Sequence, residues 1–100
     1  MHIHNVYIWL KDDVDKDTKD AFEQSLKALI DDPFVQSGYY GNPAATDRPV
    51  VENTYAYGLV LIFEDLAAHD QYQTGEAHIQ LVERHRDKWA KVVVHDIETR

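Results

Sequence analysis

The stretch Tyr55-Ala56-Tyr57-Gly58-Leu59-Val60-Leu61-Ile62-Phe63 decides the fold. It holds almost no polar side chain over nine residues. A half-exposed strand alternates apolar with polar positions. This one does not, so it reads as a strand covered on both faces. Tyr55, Tyr57, Leu59, Leu61 and Phe63 share one face, and Ala56, Gly58, Val60 and Ile62 the other. The strand is expected to run on to Glu64.

Towards the N-terminus, His2 to Leu10 has the same two-sided character. His2, His4, Val6, Ile8 and Leu10 alternate with Ile3, Asn5, Tyr7 and Trp9. β-Branched and aromatic residues favour a strand there. After the polar break Lys11 to Asp17, Phe22, Leu26, Leu29 and Ile30 recur at helical spacing, with Asp15 or Asp17 as the cap. AspAspPro at 31–33 stops that helix. Phe34 to Tyr40 reads as a short strand, followed by a loop at 41–49 rich in breakers. Val50 and Val51 are candidates to extend a neighbouring strand, and Glu52 to Thr54 reads as a turn.

Towards the C-terminus, helical sequence covers Leu66 to Tyr72 and Glu76 to Ala90, with GlnThrGly (73–75) as the break. Ile79, Val82, Arg86 and Trp89 form the stripe of the second piece, flanked by Leu81 and His85. Val92 to Ile97 is the last strand. The order βαββαβ predicts an α+β, ferredoxin-like fold: a four-stranded antiparallel sheet with its helices on one face. A single domain, 1–100, is expected from the length. Ile3, Tyr7, Trp9, Val60, Ile62, Val93 and Ile97 are then left on the uncovered face. An apolar face of that size predicts a homodimer, sheet against sheet.

The chain has 18 acidic and 10 basic residues, a net charge of -8, and no cysteine. That balance argues against a nucleic-acid or anionic membrane partner. Disulfides, thiolate metal sites and a cysteine nucleophile are excluded. No apolar run approaches the ~20 residues of a membrane span, and the N-terminal stretch lacks signal-peptide character. A cytoplasmic location is the expectation.

Four segments taken together resemble the stress-responsive A/B-barrel (Dabb) family, dimeric α+β barrels. They are HisAsnValTyrIleTrpLeuLys (4–11), LeuValLeuIlePheGluAsp (59–65), AspGlnTyrGlnThrGlyGluAlaHis (70–78) and TrpAlaLysValValValHisAsp (89–96). The family includes a plant polyketide cyclase, olivetolic acid cyclase, which works by aldol condensation without metal or cofactor. It also includes stress-induced proteins with no clear enzymatic role. In the cyclase a tyrosine and a histidine six residues later carry the chemistry, and they match Tyr72 and His78. A pocket-lining histidine on its first strand matches His4. The chain departs from the family pattern at Glu76, where proline is usual. On the first helix it offers Phe22, Glu23 and Leu26 where the cyclase has aromatic residues.

The residues themselves place a small-molecule site on the helix-covered side of the sheet. His4, Val6 and Ile8 of the first strand line it, with Leu59, Leu61 and Phe63 of the central one. Val94 and Asp96 come from the last strand, Trp89 is added beside them, and Phe22 of the first helix is a lining residue that the resemblance implies. An imidazole titrates near neutrality and suits proton abstraction next to a carbonyl, so His78 is the candidate base. The Tyr72 phenol is the candidate donor to an enolate-like oxygen. No cofactor and no metal are expected, because His78 and His85 alone are a weak pair and His2, His69 and His95 read as surface or rim residues. Two readings stand: a cofactor-free cyclase- or lyase-type enzyme acting on a carbonyl compound, and a non-catalytic ligand-binding or stress-protective dimer. In the second, His4, His78 and Asp96 are a buried polar tie.

Overall fold

A computed structural model describes residues 1–100. Its elements are β1 (His2–Leu10), α1 (Lys16–Ile30), β2 (Ser37–Gly41), β3 (Tyr57–Phe63), α2 (Leu66–Gln73), α3 (Glu76–His85) and β4 (Trp89–Glu98). One 3₁₀ turn, Arg86–Lys88, joins α3 to β4. The four strands form one antiparallel sheet in the order β2-β3-β1-β4. No helix is long and apolar enough to cross a membrane.

The register fixes which side chains share a face. His4 stands opposite Leu61 on one side and Asp96 on the other. With the period of two, the helix-covered face therefore holds His2, His4, Val6 and Ile8 of β1, Tyr57, Leu59, Leu61 and Phe63 of β3, and Val94 and Asp96 of β4. Phe22, Leu26 and Leu29 of α1 and Leu81 of α3 bury against it. Asp15 caps α1 by accepting from the Thr18 N–H at 2.8 Å, and Asp65 caps α2 through the Ala68 N–H at 2.9 Å.

Gly38 sits where β2 passes close under the end of α1. A Cβ there would lie 2.7 Å from Leu61 Cδ2 and 3.1 Å from Ile30 Cγ1. A side chain there would push Leu61 or Ile30 aside, so glycine suits the close packing of α1 on β2.

Several boundaries differ from the sequence reading, each for a local reason. β2 begins at Ser37 rather than Phe34, because Asp32 holds a turn: its side chain accepts from the Phe34 N–H at 2.9 Å and its carbonyl from the Val35 N–H at 3.0 Å. α3 ends at His85 rather than Ala90, because Trp89 is already extended and paired with Leu10. The buried positions of α3 are Leu81 and His85, while Ile79 is exposed. Val50 and Val51 lie outside every strand.

β3 starts at Tyr57, and Tyr55 turns to the other face, packing on Tyr7 at 5.1 Å and Trp9 at 6.1 Å between ring centroids. Trp9 also donates to Thr54 Oγ1 at 2.8 Å and lies under the Lys91 ammonium at 4.6 Å. The segment before β3 thus covers one corner of the outer face. The remainder, with Ile3, Val60, Ile62 and Val93 half-buried and Tyr39 and Ile97 exposed, has no cover within the chain.

Candidate functional site

Between the sheet and the helices lies a cavity of about 120 Å³. His4, Val6 and Ile8 reach it from β1, Leu59 from β3, and Trp89, Val92 and Val94 from β4. Tyr72 and Gln73 of α2 and His78, Leu81 and Val82 of α3 face them, with Leu26 and Leu29 of α1. Val92 and Val94 are 41% and 45% exposed although they point to the helix side. No helix covers this edge strand, so the cavity opens along β4.

The two groups carrying chemical potential meet at the break between α2 and α3. The Tyr72 and His78 rings are 5.3 Å apart at 64°. Gly75 makes the junction: it is the N-cap of α3 and donates its N–H to the Tyr72 carbonyl at 2.9 Å. Burial, reinforced by the negative charge of Asp32, pushes the Tyr72 phenol well above its ordinary pKa. It stays protonated, a donor and never a phenolate at neutral pH. Burial, then the repulsion that two protonated rings, His4 and His78, would exert on each other, lowers the His78 pKa below 6.5, against a smaller opposing contribution from Gln73. The imidazole is neutral at pH 7. Its Nε2 lies 3.3 Å from the Gln73 side-chain amide.

Eight of the residues expected at the site do line this cavity: His4, Val6, Ile8, Leu59, Tyr72, His78, Trp89 and Val94. Four do not. Phe22 is packed edge-on between Tyr57, His85 and Trp89, at 5.3, 5.1 and 6.1 Å. Leu61 and Phe63 are completely buried behind the cavity wall, Phe63 against Tyr72 at 5.1 Å and His69 at 5.4 Å. Asp96 faces a different, solvent-open hollow of about 290 Å³ shared with His2, Glu64, Asp65 and Glu98. His85 is apart from His78, hydrogen-bonded to Ser25 Oγ at 3.0 Å.

The histidines at the start of β1 are the largest correction. His2 and His69 are not rim residues. His2 is buried, and the His69 side chain is only 13% exposed. Both pack around His4: the His69 ring is 4.6 Å from His2 and 4.9 Å from His4. Asp96 accepts from His4 Nδ1 at 2.6 Å. Burial pushes the Asp96 carboxyl up, but the His4 hydrogen bond and the neighbouring imidazoles outweigh it and hold it below the ordinary range. For His4 burial prevails over the carboxylate and keeps the ring neutral. One ligand-capable atom from each of His2, His4, His69 and Asp96 falls within 4.8 Å of the others. The alternation His2, His4 was visible in the sequence; its meeting with an α2 histidine was not.

Topology, register and cavity define a ferredoxin-like α+β protein with a mainly apolar cavity between sheet and helices. The chain belongs to the stress-responsive A/B barrel domain family, whose model matches residues 3–99. No curated protein matches it significantly. Among solved structures it is similar to a Dabb family protein with a ferredoxin-like fold from Mesorhizobium loti (20% identity, 99% of this chain and 96% of that one, TM-score 0.79). It is also similar to a dimeric ferredoxin-like protein of unknown function from Thermobifida fusca (16%, 98% and 90%, TM-score 0.80). A third is hydroxynitrile lyase from Passiflora edulis (15%, 99% and 93%, TM-score 0.77). At these identities the likeness is one of fold.

Proposed function

We propose that the chain is a homodimer whose subunits each bind a small carbonyl compound in the cavity between sheet and helices, and act on it as a cofactor-free lyase or cyclase. The observation that carries the reading is the Tyr72–His78 pair: a protonated phenol and a neutral imidazole, 5.3 Å apart, on an otherwise largely apolar wall. His78 takes the proton from the carbon next to the carbonyl, or from the hydroxyl of an adduct that reverts to one. Tyr72 donates to the oxygen that gains negative charge. In the first case the enolate carbon bonds to a second carbonyl and the imidazolium protonates the alkoxide so formed. In the second the C–C bond of the adduct breaks and the imidazolium protonates the departing carbanion. Neither group therefore changes its net charge over a full turnover.

The size of the cavity limits the substrate. About 120 Å³ is below the ~300 Å³ at which drug-sized sites begin, and comparable with cavities that take one benzene ring. A ligand of roughly ten heavy atoms or fewer, one end protruding along β4, is the expected fit. The likeness to a hydroxynitrile lyase agrees with small-substrate lyase chemistry. The half-buried outer sheet face and the dimeric Thermobifida relative support the homodimer.

The same small volume favours a second reading, a binder without turnover. Assay of small 2-hydroxynitriles and 1,3-dicarbonyl compounds separates the two. Turnover that falls by roughly 10²–10⁴-fold in His78→Ala supports the enzyme. Saturable binding without product supports the binder. Failure of both refutes the cavity as a functional site.

A further inference from the structure

We propose that His2, His4, His69 and Asp96 bind one divalent transition-metal ion, with zinc the first expectation, as a structural site separate from the Tyr72–His78 pair. β1 supplies two imidazoles because residues two apart on a strand share a face. β4 supplies the carboxylate directly opposite His4, and α2 brings His69 over all three.

Four observations point to a cation there. The candidate ligand atoms lie within 4.8 Å of one another. Atoms on a tetrahedral ion at 2.0–2.1 Å stand roughly 3.4 Å apart, so the wider pairs close by about 1 Å. The 2.6 Å hydrogen bond from His4 Nδ1 to Asp96 gives way to the metal, the imidazole releasing that proton or turning Nε2 to the ion. His2 Nε2 and His69 Nε2 are both buried without a hydrogen bond. His2 Nε2 sits 3.3 Å from Asp96 Oδ1, near enough for an ion pair but misaligned for a hydrogen bond. Buried nitrogens without partners are rare, and a metal supplies one partner to both.

The third observation is the outer support. Asp70 Oδ1 lies 3.2 Å from His69 Nδ1. A carboxylate only accepts, so Nδ1 carries the proton and Nε2 keeps its lone pair free for a ligand bond. A carboxylate behind a ligating histidine is the usual arrangement that orients the ring. The fourth is access. The hollow beside His2 and Asp96 adds Glu64, Asp65 and Glu98, a carboxylate-lined approach on a chain of net charge -8.

Three nitrogen donors and one oxygen suit zinc, cobalt or nickel and disfavour magnesium and calcium, which take oxygen shells. Four protein ligands close a tetrahedral shell, the mark of a structural ion. Such an ion ties β1, β4 and α2 together and fixes the orientation of His4 in the cavity wall.

The test is a Co²⁺ titration of the tag-free, chelator-treated chain, followed by visible spectroscopy and competition with Zn²⁺ and Mg²⁺. One equivalent per chain is expected, with the d–d bands of tetrahedral Co²⁺, displaced by Zn²⁺ and untouched by Mg²⁺. His69→Ala, which removes one ligand, should weaken binding by about 100-fold or more, with circular dichroism checking that the variant is folded. Asp70→Ala, which removes no ligand, should weaken it by about 10–100-fold. His95→Ala, on the outer face, should change nothing. The proposal is overturned if the unmodified chain shows no saturable Co²⁺ binding, or if His69→Ala binds as tightly as the parent. Equal competition by Mg²⁺ would overturn it too. His78→Ala should keep full metal affinity, so this result and the catalytic one fail independently.

Discussion

Tyr72 and His78 face each other across the only break in the second helical segment, one on the last turn of α2 and one on the first turn of α3. A continuous helix would put residues six apart on different sides, since neighbours on one face are three or four apart. The ThrGly turn at 74–75 resets the helix direction and brings the pair together over the cavity. Tyr72→Phe keeps the buried ring and deletes the hydroxyl alone. It should lower turnover by about 10²–10³-fold, in the range of removing one oxyanion donor, with the melting temperature nearly unchanged. A variant with parental kcat would remove Tyr72 from the chemistry.

The pH dependence follows from burial of the base. His78 must be neutral to accept a proton, and burial, then His4, holds its pKa below 6.5. The acid limb of kcat/KM should therefore fall at a pH lower than 6.5, with activity flat through neutrality. A limb above 6.5 would assign the titration to another group.

Stability should follow the same sign. His85 is lowered by burial first and by Arg84 second, against Asp87, and its Nε2 pairs with Ser25. Below 6.5 the unfolded chain takes up the protons that folded His78 and His85 resist. Their contribution is complete above pH 6.5 and is lost as pH falls towards the depressed folded values. Urea midpoints should drop between pH 7 and 5, and less steeply in His85→Gln. An equal drop in both proteins would show that His85 has no part in it.

The sheet was legible because its signal is local. Two-sided apolar strands and the βαββαβ order carry the topology without any long-range information, and parity alone placed His4, Leu59, Leu61 and Asp96 on one face. Parity did not reveal depth. Leu61 and Asp96 share that face with His4, yet one is sealed behind the cavity and the other stands at the sheet's end, because helix position decides what a face residue meets. His69 shows the same limit. On an isolated helix it is one more polar residue, and only the angle at which α2 crosses β1 turns it inward. Tyr55 was misplaced because the periodicity continues past the point where the chain leaves the strand.

Gly38 gives a test of the packing independent of function. Any Cβ there meets Leu61 and Ile30 at or below contact distance. Gly38→Val should cost about 1–3 kcal/mol through overpacking, whereas Gly41→Val, with open space around its position, should cost little. Denaturant unfolding of the two variants side by side reads the difference. Equal midpoints would mean that α1 yields freely over β2.

Val60 tests whether the outer face is the interface proposed above. Val60 sits on β3 between Asn5 and Tyr39, half-buried in the single chain and flanked on the same face by Ile62 and Ile3. In a sheet-to-sheet dimer it lies in the interface, where an unpaired charge costs several kcal/mol. In a monomer the same side chain reaches solvent, and the cost is small. Val60→Asp therefore separates the two cases. Sedimentation should show the parent at twice the one-chain mass and the variant at one, or unfolded if the subunits cannot stand alone. A parent that sediments at the one-chain mass, or a variant that keeps the doubled mass with an unchanged unfolding midpoint, would rule out this face as the interface.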